Sequence, residues 1–310
     1  MRWVVEVNIR KITIAALSLA LLGIYSLHAQ PVTVAYVEGD VEARRGSQWE
    51  PLRIGDTLAA EAGIRLGENG YLELTNDRTI VRLTEPGSYR LSALFESAAR
   101  NEEAGVASMV NSRIRSLFSA QERPGDEPTT AGVRGDESDT GDLTWAGGEA
   151  PADLLDEGIE LLDAGEYEEA RFRFEDARDF AETDAQAVRA RFYLAYIDYS
   201  EGNVREAVEA FSDLDIDPES QDYPTYALAY GQALIETFAY ERAVDWLEGY
   251  VNRTDPEPRA ADRQAALVLL GIAHDGAGDG PAARSALERA AEIRPESQEA
   301  QVAEELLAGL

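Results

Sequence analysis

Cysteine is absent from this 310-residue chain, and lysine and histidine are almost absent. The only lysine is Lys11, and the two histidines are His28 and His274. Without cysteine the chain can form no disulfide, no thiolate nucleophile, no lipidated cysteine and no Cys/His zinc cluster. If the first 29 residues are a cleaved signal, Schiff-base lysines are excluded as well, and His274 is the one remaining imidazole.

These absences remove most covalent catalysis, but they leave carboxylate chemistry open. A serine–histidine pair could use only His274, which we predict to pack inside a helix. The 59 acidic residues offer too many pairs for any one to be selected as a glycosidase-like acid and base. The sequence therefore predicts a non-enzymatic protein with no catalytic and no cofactor-binding residues.

One acidic string has the spacing of a calcium-binding loop. Asp213, Asp215 and Asp217 alternate as in an EF-hand, but Pro218 stands at the place of the required glycine and Pro224 at that of the bidentate glutamate. The string predicts a polar loop, and no metal site is expected.

The charge balance is strongly acidic. The formal net charge is −31, and removing Arg2, Glu6, Arg10 and Lys11 with a signal would leave −33. A field of this sign repels phosphate backbones, so nucleic acid is not an expected partner. Abundant acid combined with arginine in place of lysine fits either adaptation to salt or a GC-rich genome.

The N-terminus has the features of an export signal. Arg2, Arg10 and Lys11 precede an apolar run over residues 12–27, and Ala29 suits the position before a cleavage site. We predict a signal peptide over residues 1–29, a periplasmic or extracellular protein, and no stable membrane span after cleavage. The alternative is an uncleaved inner-membrane anchor, because about 16 apolar residues fall short of the roughly 20 that a span needs.

Residues 30–92 consist of short apolar or alternating runs separated by turn residues, which predicts a small all-β domain of about six to eight strands. The pieces "EGDVEARRG", "PLRIGDTLAAEAGIRLGENGYLEL", "DRTIVRL" and "PGSYRL" resemble the FecR domain of bacterial envelope proteins. Further on, "AGVRGDE" from Ala131 is similar to a stretch that often follows that domain, with Asp136 in place of the usual threonine. The resemblance implies an exported module for attachment or assembly.

Two segments follow the β domain. Residues 93–120 carry apolar side chains on one helical face, interrupted near Gly105, and predict an amphipathic helix that either caps the β domain or covers a groove of a partner protein. Residues 121–150 are rich in Gly, Pro, Asp, Glu and Thr and predict a flexible linker that contains the AGVRG motif.

Residues 151–310 contain an internal repeat. Four times, a small residue is followed twelve positions later by alanine and four positions after that by a large apolar residue; the sets are Gly158/Ala170/Phe174, Ala195/Ala207/Phe211, Gly231/Ala243/Leu247 and Gly271/Ala283/Leu287. The alanines are 37, 36 and 40 residues apart. Strings such as "GEYEEARFRFEDA" resemble tetratricopeptide (TPR) repeats, whose period is about 34 residues. The resemblance implies four helical hairpins and a terminal helix.

TPR arrays bind peptides on the surface formed by the first helix of each hairpin. The resemblance therefore implies partner-binding positions in repeats two and three, where tyrosine offers contact area and one arginine could hold a carboxylate. The candidates are Arg189, Phe192, Tyr193, Tyr196, Tyr199 and Gln232. The competing interpretation is that these side chains only pack one repeat against the next.

Together these features predict a multidomain protein, with a FecR-like β domain followed by an all-α TPR-like array. We interpret it as a scaffold of the bacterial envelope, similar to proteins of spirochaete-type bacteria, that holds a protein or peptide partner and contacts the cell wall. Two alternatives stay open. One is a carboxylate-dependent hydrolase acting on the cell wall, and the other is a module that binds wall or sugar through the β domain.

Overall fold

A computed structural model describes residues 32–76, 79–119 and 150–310. The predicted signal peptide, with its alternative role as an anchor, lies outside the described residues. So do residues 121–149 of the predicted linker, including the AGVRG motif.

The N-terminal domain is formed by two antiparallel sheets of four strands each. Alternating burial along the strands, as in β7, places one apolar face of each sheet inward. The sheets have the strand orders β4-β1-β6-β7 and β3-β2-β5-β8. The strands are β1 Val32–Glu38, β2 Val41–Arg45, β3 Gln48–Pro51, β4 Thr57–Leu58, β5 Gly63–Leu66, β6 Tyr71–Thr75, β7 Ile80–Leu83 and β8 Gly87–Arg90.

The two sheets share one apolar core. Buried side chains from both, among them Val34 and Leu72 from one sheet and Ile64 from the other, belong to a single cluster. Leu91 and Leu94, which follow the last strand, complete it. The core is small, as expected for a domain of this length, so contacts with the rest of the chain matter for its stability.

The predicted amphipathic segment is divided into two helices, α1 Leu91–Glu103 and α2 Val106–Ser119. Gly105 lies between them with φ of +70°, a left-handed conformation that ends α1. Helix α1 contacts strands β7 and β8. Helix α2 turns away from the sheets, and its apolar residues belong to the core of the C-terminal half.

Residues 150–310 form a helical array of four hairpins and a terminal helix. No described helix is both long and apolar enough to cross a membrane. The hairpins are α3 Pro151–Ala164 with α4 Tyr167–Asp179, α5 Asp184–Ser200 with α6 Val204–Ser212, α7 Tyr223–Glu236 with α8 Tyr240–Val251, and α9 Ala260–Gly276 with α10 Gly280–Ile293, followed by α11 Gln298–Gly309.

The repeated small and large residues hold each hairpin together. A methyl group added at Gly158 would lie 2.6 Å from Phe174 Cε1, and one added at Gly271 would lie 2.5 Å from Leu287 Cγ. The alanines of the pattern, such as Ala170 and Ala283, are completely buried. The absence of a side chain at the glycines therefore lets the large residue of the same repeat pack directly against the helix backbone.

The turn inside each hairpin requires a left-handed residue, and the third repeat meets this requirement with phenylalanine. Gly165, Gly202 and Gly278 have φ of +81°, +89° and +84°. Phe238, at the equivalent place, has φ of +61°. Its side chain is 7% exposed and belongs to the core cluster of the β domain. The strain of this backbone conformation is therefore offset by apolar contact between the two domains.

Polar contacts join the two domains along the same border. Arg205 of α6 binds Glu38 of β1 at 2.8 Å, and Arg242 of α8 binds Glu85. The hydroxyl oxygens of Ser97 in α1 and Tyr240 in α8 lie 3.1 Å apart. The β domain is thus held against the outer helices of the second and third hairpins.

We expect Gly271→Ala to lower the free energy of unfolding by about 1–3 kcal/mol, because the new methyl group would clash with Leu287. Gly249→Ala is a matched control: a methyl group there would have no neighbour within 4 Å and should stabilise helix α8 by about 0.5–1 kcal/mol. Chemical denaturation measures both. Equal effects at the two positions would contradict the packing role of Gly271.

Two substitutions at Phe238 distinguish the cost of its left-handed backbone from the stabilisation that its buried ring provides. Phe238→Ala should cost about 3–5 kcal/mol because the ring leaves the β core. Phe238→Gly loses the same ring but relieves roughly 1–2 kcal/mol of left-handed strain, so it should be the more stable of the two variants. Thermal or chemical unfolding gives the order. An alanine variant as stable as the glycine variant would contradict the strain at this turn.

Candidate functional site

The concave surface of the array is occupied by a helix of the same chain. Helix α2 contacts α3, α7, α9 and α11, and Phe118 at its end packs its ring on Tyr193 and Tyr196 of α5. The helix therefore contacts the first helix of all four hairpins. This is the surface on which the sequence predicts a partner.

The fit of α2 follows from its amphipathic sequence. Its apolar residues recur at the three- and four-residue spacing of one helical face, and all are buried in the core cluster of the array. They are Val106, Met109, Val110, Ile114, Leu117 and Phe118. The exposed face of the same helix carries polar residues such as Asn111, Ser112 and Ser116.

One buried ion pair fixes the position of the helix. Asp262 of α9 is completely buried, and Arg113 of α2 approaches its Oδ1 atom at 2.6 Å. Arg259 donates to the other oxygen at 2.8 Å, but more than half of the Arg259 side chain is exposed. Since a buried carboxylate is costly without partners, Arg113 selects one register of α2 along the groove.

Two of the predicted partner-binding residues lie in the core. Phe192 and Tyr193 expose no surface. The Tyr193 ring stacks on Phe174 with 4.8 Å between centroids, and its hydroxyl donates to Asp222 Oδ1 at 2.5 Å. In this arrangement both rings pack neighbouring hairpins together.

Arg189 binds a carboxylate, and the carboxylate belongs to the chain itself. Its Nε donates to Asp222 Oδ2 at 2.6 Å, and Asp222 is 1% exposed. The neighbouring Asp222 helps to raise the pKa of Arg189 despite the opposing effect of burial. Arg189 lies in the first half of α5, and it does not line the pocket formed around Tyr196, Tyr199 and Gln232.

Tyr196, Tyr199 and Gln232 are brought together around a pocket at one end of the groove. The cavity volume is about 410 Å³. Helix α2 forms one wall, hairpins one, two and three form others, and strand β7 contributes Arg82. Burial raises the pKa of Tyr196 to about 12, so its phenol stays protonated and can act as a hydrogen-bond donor.

The pocket also contains a carboxyl group that the sequence analysis missed. Glu236 follows Gln232 by one helical turn, so the two share one face of α7. Its Oε1 accepts hydrogen bonds from Tyr199 Oη at 2.7 Å and from Gln232 Nε2 at 2.9 Å. Burial raises the pKa of Glu236 above its ordinary 4.5, although both hydrogen bonds oppose this. The four-residue spacing from Gln232 was the sequence signal that could have found it.

The described part of the chain holds no group of three or more His, Asp or Glu residues that could bind a metal ion. The alternating aspartates Asp213, Asp215 and Asp217 lie in or beside the loop that joins α6 and α7. The Asp217 carboxylate accepts a hydrogen bond from the backbone N–H of Glu219 at 2.9 Å, an ordinary turn contact.

Comparison with known proteins identifies no family for the whole chain. No protein-family model matches it. No curated protein matches it either. The FecR-like β domain is therefore a resemblance carried by its sequence strings alone.

Several solved helical-repeat structures resemble part of the chain. MamA from Desulfovibrio magneticus RS-1 is 20% identical, with 48% of this chain and 78% of that chain covered and a TM-score of 0.40. A thermophilic TPR protein of Thermus thermophilus is 20% identical, with 52% of this chain and 83% of that chain covered and a TM-score of 0.36. BtubC from P. vanneervenii is 21% identical, with 66% of this chain and 80% of that chain covered and a TM-score of 0.38. TM-scores of this size carry no argument about function.

The buried ion pair gives a test of the helix in the groove. Arg113→Ala leaves Asp262 with only the exposed Arg259, so we expect a loss of about 2–4 kcal/mol of stability and faster amide exchange in residues 106–119. Arg259→Ala is the control and should cost under about 1 kcal/mol. Hydrogen exchange with mass spectrometry measures both. Unchanged exchange in α2 of the Arg113 variant would show that the pair does not hold the helix.

Proposed function

We propose that this protein is a non-enzymatic scaffold of the bacterial envelope, exported by its N-terminal signal peptide. Its helical array holds a protein or peptide partner, and its FecR-like β domain serves attachment or assembly. The observation that carries the proposal is the groove. A concave surface built from four repeated hairpins already holds an amphipathic helix through apolar packing and one buried ion pair.

The internal helix leaves part of the concave surface open. The pocket beside Phe118 is lined by all three parts of the molecule, namely the β domain, helix α2 and the array. A partner that enters it would touch Tyr196, Tyr199 and Gln232. These are the predicted partner-binding residues that line the pocket, and Phe118 of α2 also packs on Tyr196. Phe192 and Tyr193 would serve the partner only indirectly, by holding the hairpins in place.

The β domain gives the scaffold a fixed second surface. The ion pairs of Arg205 and Arg242 with the β domain, together with the buried ring of Phe238, support a rigid arrangement. A component bound by the β domain, such as the cell wall, would therefore stand at a set distance from a partner in the groove. This supports a role in assembly.

One observation favours the alternative of a carboxylate-dependent hydrolase. Glu236, with its raised pKa, and Asp163 line the same pocket. A carboxyl group whose pKa is raised by burial is a candidate general acid. Release of soluble fragments from isolated cell wall, abolished by Glu236→Gln, would establish the hydrolase instead of the scaffold.

Site-specific photocross-linking tests the scaffold in cells that make the protein. Asn111 is exposed on α2 and lines the pocket, so a photoreactive amino acid there should capture one defined envelope protein. A photoreactive residue at Glu288 is the matched control, because Glu288 is exposed on α10, on the second helix of its hairpin. Mass spectrometry identifies the products.

We expect one dominant product from position 111 and none of it from position 288. The same product at both positions would reflect abundance and not a site. No product at position 111, with the protein folded and exported, would contradict partner binding in this groove.

A further inference from the structure

The pocket at the end of the groove is polar and enclosed by several elements. The residues that matter for its chemistry are Arg82, Arg115, Asp163, Tyr199, Gln232 and Glu236, and they come from β7, α2, α3, α5 and α7. None of the repeat-forming glycines, alanines or large apolar residues belongs to this set. These six polar residues are therefore different from the residues of the repeat pattern that hold each hairpin together.

Glu236 has hydrogen-bond donors but no direct ion-pair partner among the described residues. Its two hydrogen-bond partners, the Tyr199 phenol and the Gln232 amide, are neutral. Arg82 is near enough to lower the pKa of Glu236, but its guanidinium forms its ion pair with Glu73, at 3.1 Å. An ionised carboxylate in this position would be stabilised further by a cation in direct contact with it.

A second acceptor next to Glu236 also lacks a partner. The Gln232 side chain donates to Glu236 through Nε2, so its carbonyl oxygen Oε1 is the atom left to accept. Gln232 is 3% exposed, and Oε1 has no hydrogen bond. A buried acceptor without a donor costs about 1–3 kcal/mol. The pocket lining thus contains two adjacent acceptor groups: a carboxyl whose donors are both neutral, and a buried amide oxygen that has no donor.

The charge of the whole chain favours the same kind of ligand. The formal net charge is −31, and Lys11, within the predicted signal, is the only lysine. The field around the protein therefore attracts cations. The described residues contain no lysine, so none of them could place an ammonium group in the pocket.

We propose that this pocket binds a primary ammonium group on a slender alkyl arm, presented as a lysine side chain by the partner of the array. The ammonium has three N–H donors. Glu236 accepts one as its counter-ion, and Gln232 Oε1 accepts another. This inference rests on the proposed scaffold function and specifies the chemistry of its partner.

Binding of such a group is linked to pH. Because burial raises the pKa of Glu236, this carboxyl is mostly protonated below that pKa, and the cation binds the ionised form. Affinity should therefore rise as pH increases through the raised pKa and level off above it. The other charged groups that line the pocket are Arg82, Arg115 and Asp163, and the Tyr199 phenol stays neutral because burial and Glu236 raise its pKa.

Isothermal titration of the mature full-length protein tests the proposal with two matched peptides. The first is acetyl-Gly-Lys-Gly-amide, and the second carries norleucine in place of lysine, which keeps the alkyl arm and removes the ammonium. We expect the lysine peptide to bind at least about tenfold more tightly, the gain from one charge-assisted hydrogen bond. A third probe, 1-aminopentane, shows whether the pocket binds a free alkylamine as well as an ammonium group carried on a peptide.

Variants identify the residues that bind. Glu236→Gln should weaken the lysine peptide at least about tenfold and abolish the rise of affinity with pH, whereas Glu288→Gln, a matched change on an exposed helix face, should change neither. Thermal unfolding of both variants shows that they are folded. Glu236→Gln keeps the volume of the side chain, so loss of binding in a folded variant reports on charge.

Three outcomes would overturn the proposal: equal binding of the lysine and norleucine peptides, unchanged binding by the Glu236 variant, or binding of 1-aminopentane without binding of the peptide. Any of these results, together with a cross-linked partner at position 111, would contradict the proposed ammonium site but not the proposed scaffold function. Absence of the cross-link would remove the scaffold itself.

Discussion

Burial of helix α2 in the groove of the array is the interaction on which the rest of the structure depends. Six apolar side chains of α2 enter the core, and each contributes roughly 1.5–3 kcal/mol when fully buried. Because α2 follows α1 after a single turn at Gly105, its position also determines where the β domain can lie. The ion pairs and the Phe238 ring on the border of the two domains then stabilise an arrangement that α2 has already restricted.

The same interaction limits how an external partner can bind. An internal helix belongs to the same chain as the groove and so acts at a high effective concentration, and a free peptide of similar affinity cannot displace it efficiently. A partner therefore gains more by entering space that α2 leaves open than by replacing it. The polar pocket beside Phe118 is such a space, and one wall of it is α2 itself. Docking of the helix thus completes a binding surface as well as covering one.

Sequence reasoning succeeded where structure depends on local spacing and failed where it depends on distant contacts. The pairing of Gly271 with Leu287 follows from a fixed spacing within one hairpin, so the four hairpins and the terminal helix could be predicted. The position of α2 in the groove of its own array was not predicted, because the buried partner of Arg113 lies 149 residues away. Likewise, no local rule distinguishes Tyr193, which packs between hairpins, from Tyr199, which lines the pocket. Phe238, a departure from the repeat pattern, is explained by contact with the β domain.

Glu236 is difficult to explain by stability alone. A partly buried carboxyl whose hydrogen-bond donors are both neutral carries a desolvation cost, and an apolar or amide side chain of similar volume would avoid it. Asp262, by contrast, is completely buried but is paired with two arginines, so its carboxylate stabilises the docked position of α2. The chain therefore can supply arginine to a buried acid, and at Glu236 it supplies phenol and amide instead. Because Arg82 acts on Glu236 only from a distance, a direct ion pair at this carboxyl would form only with a cationic ligand, as we propose.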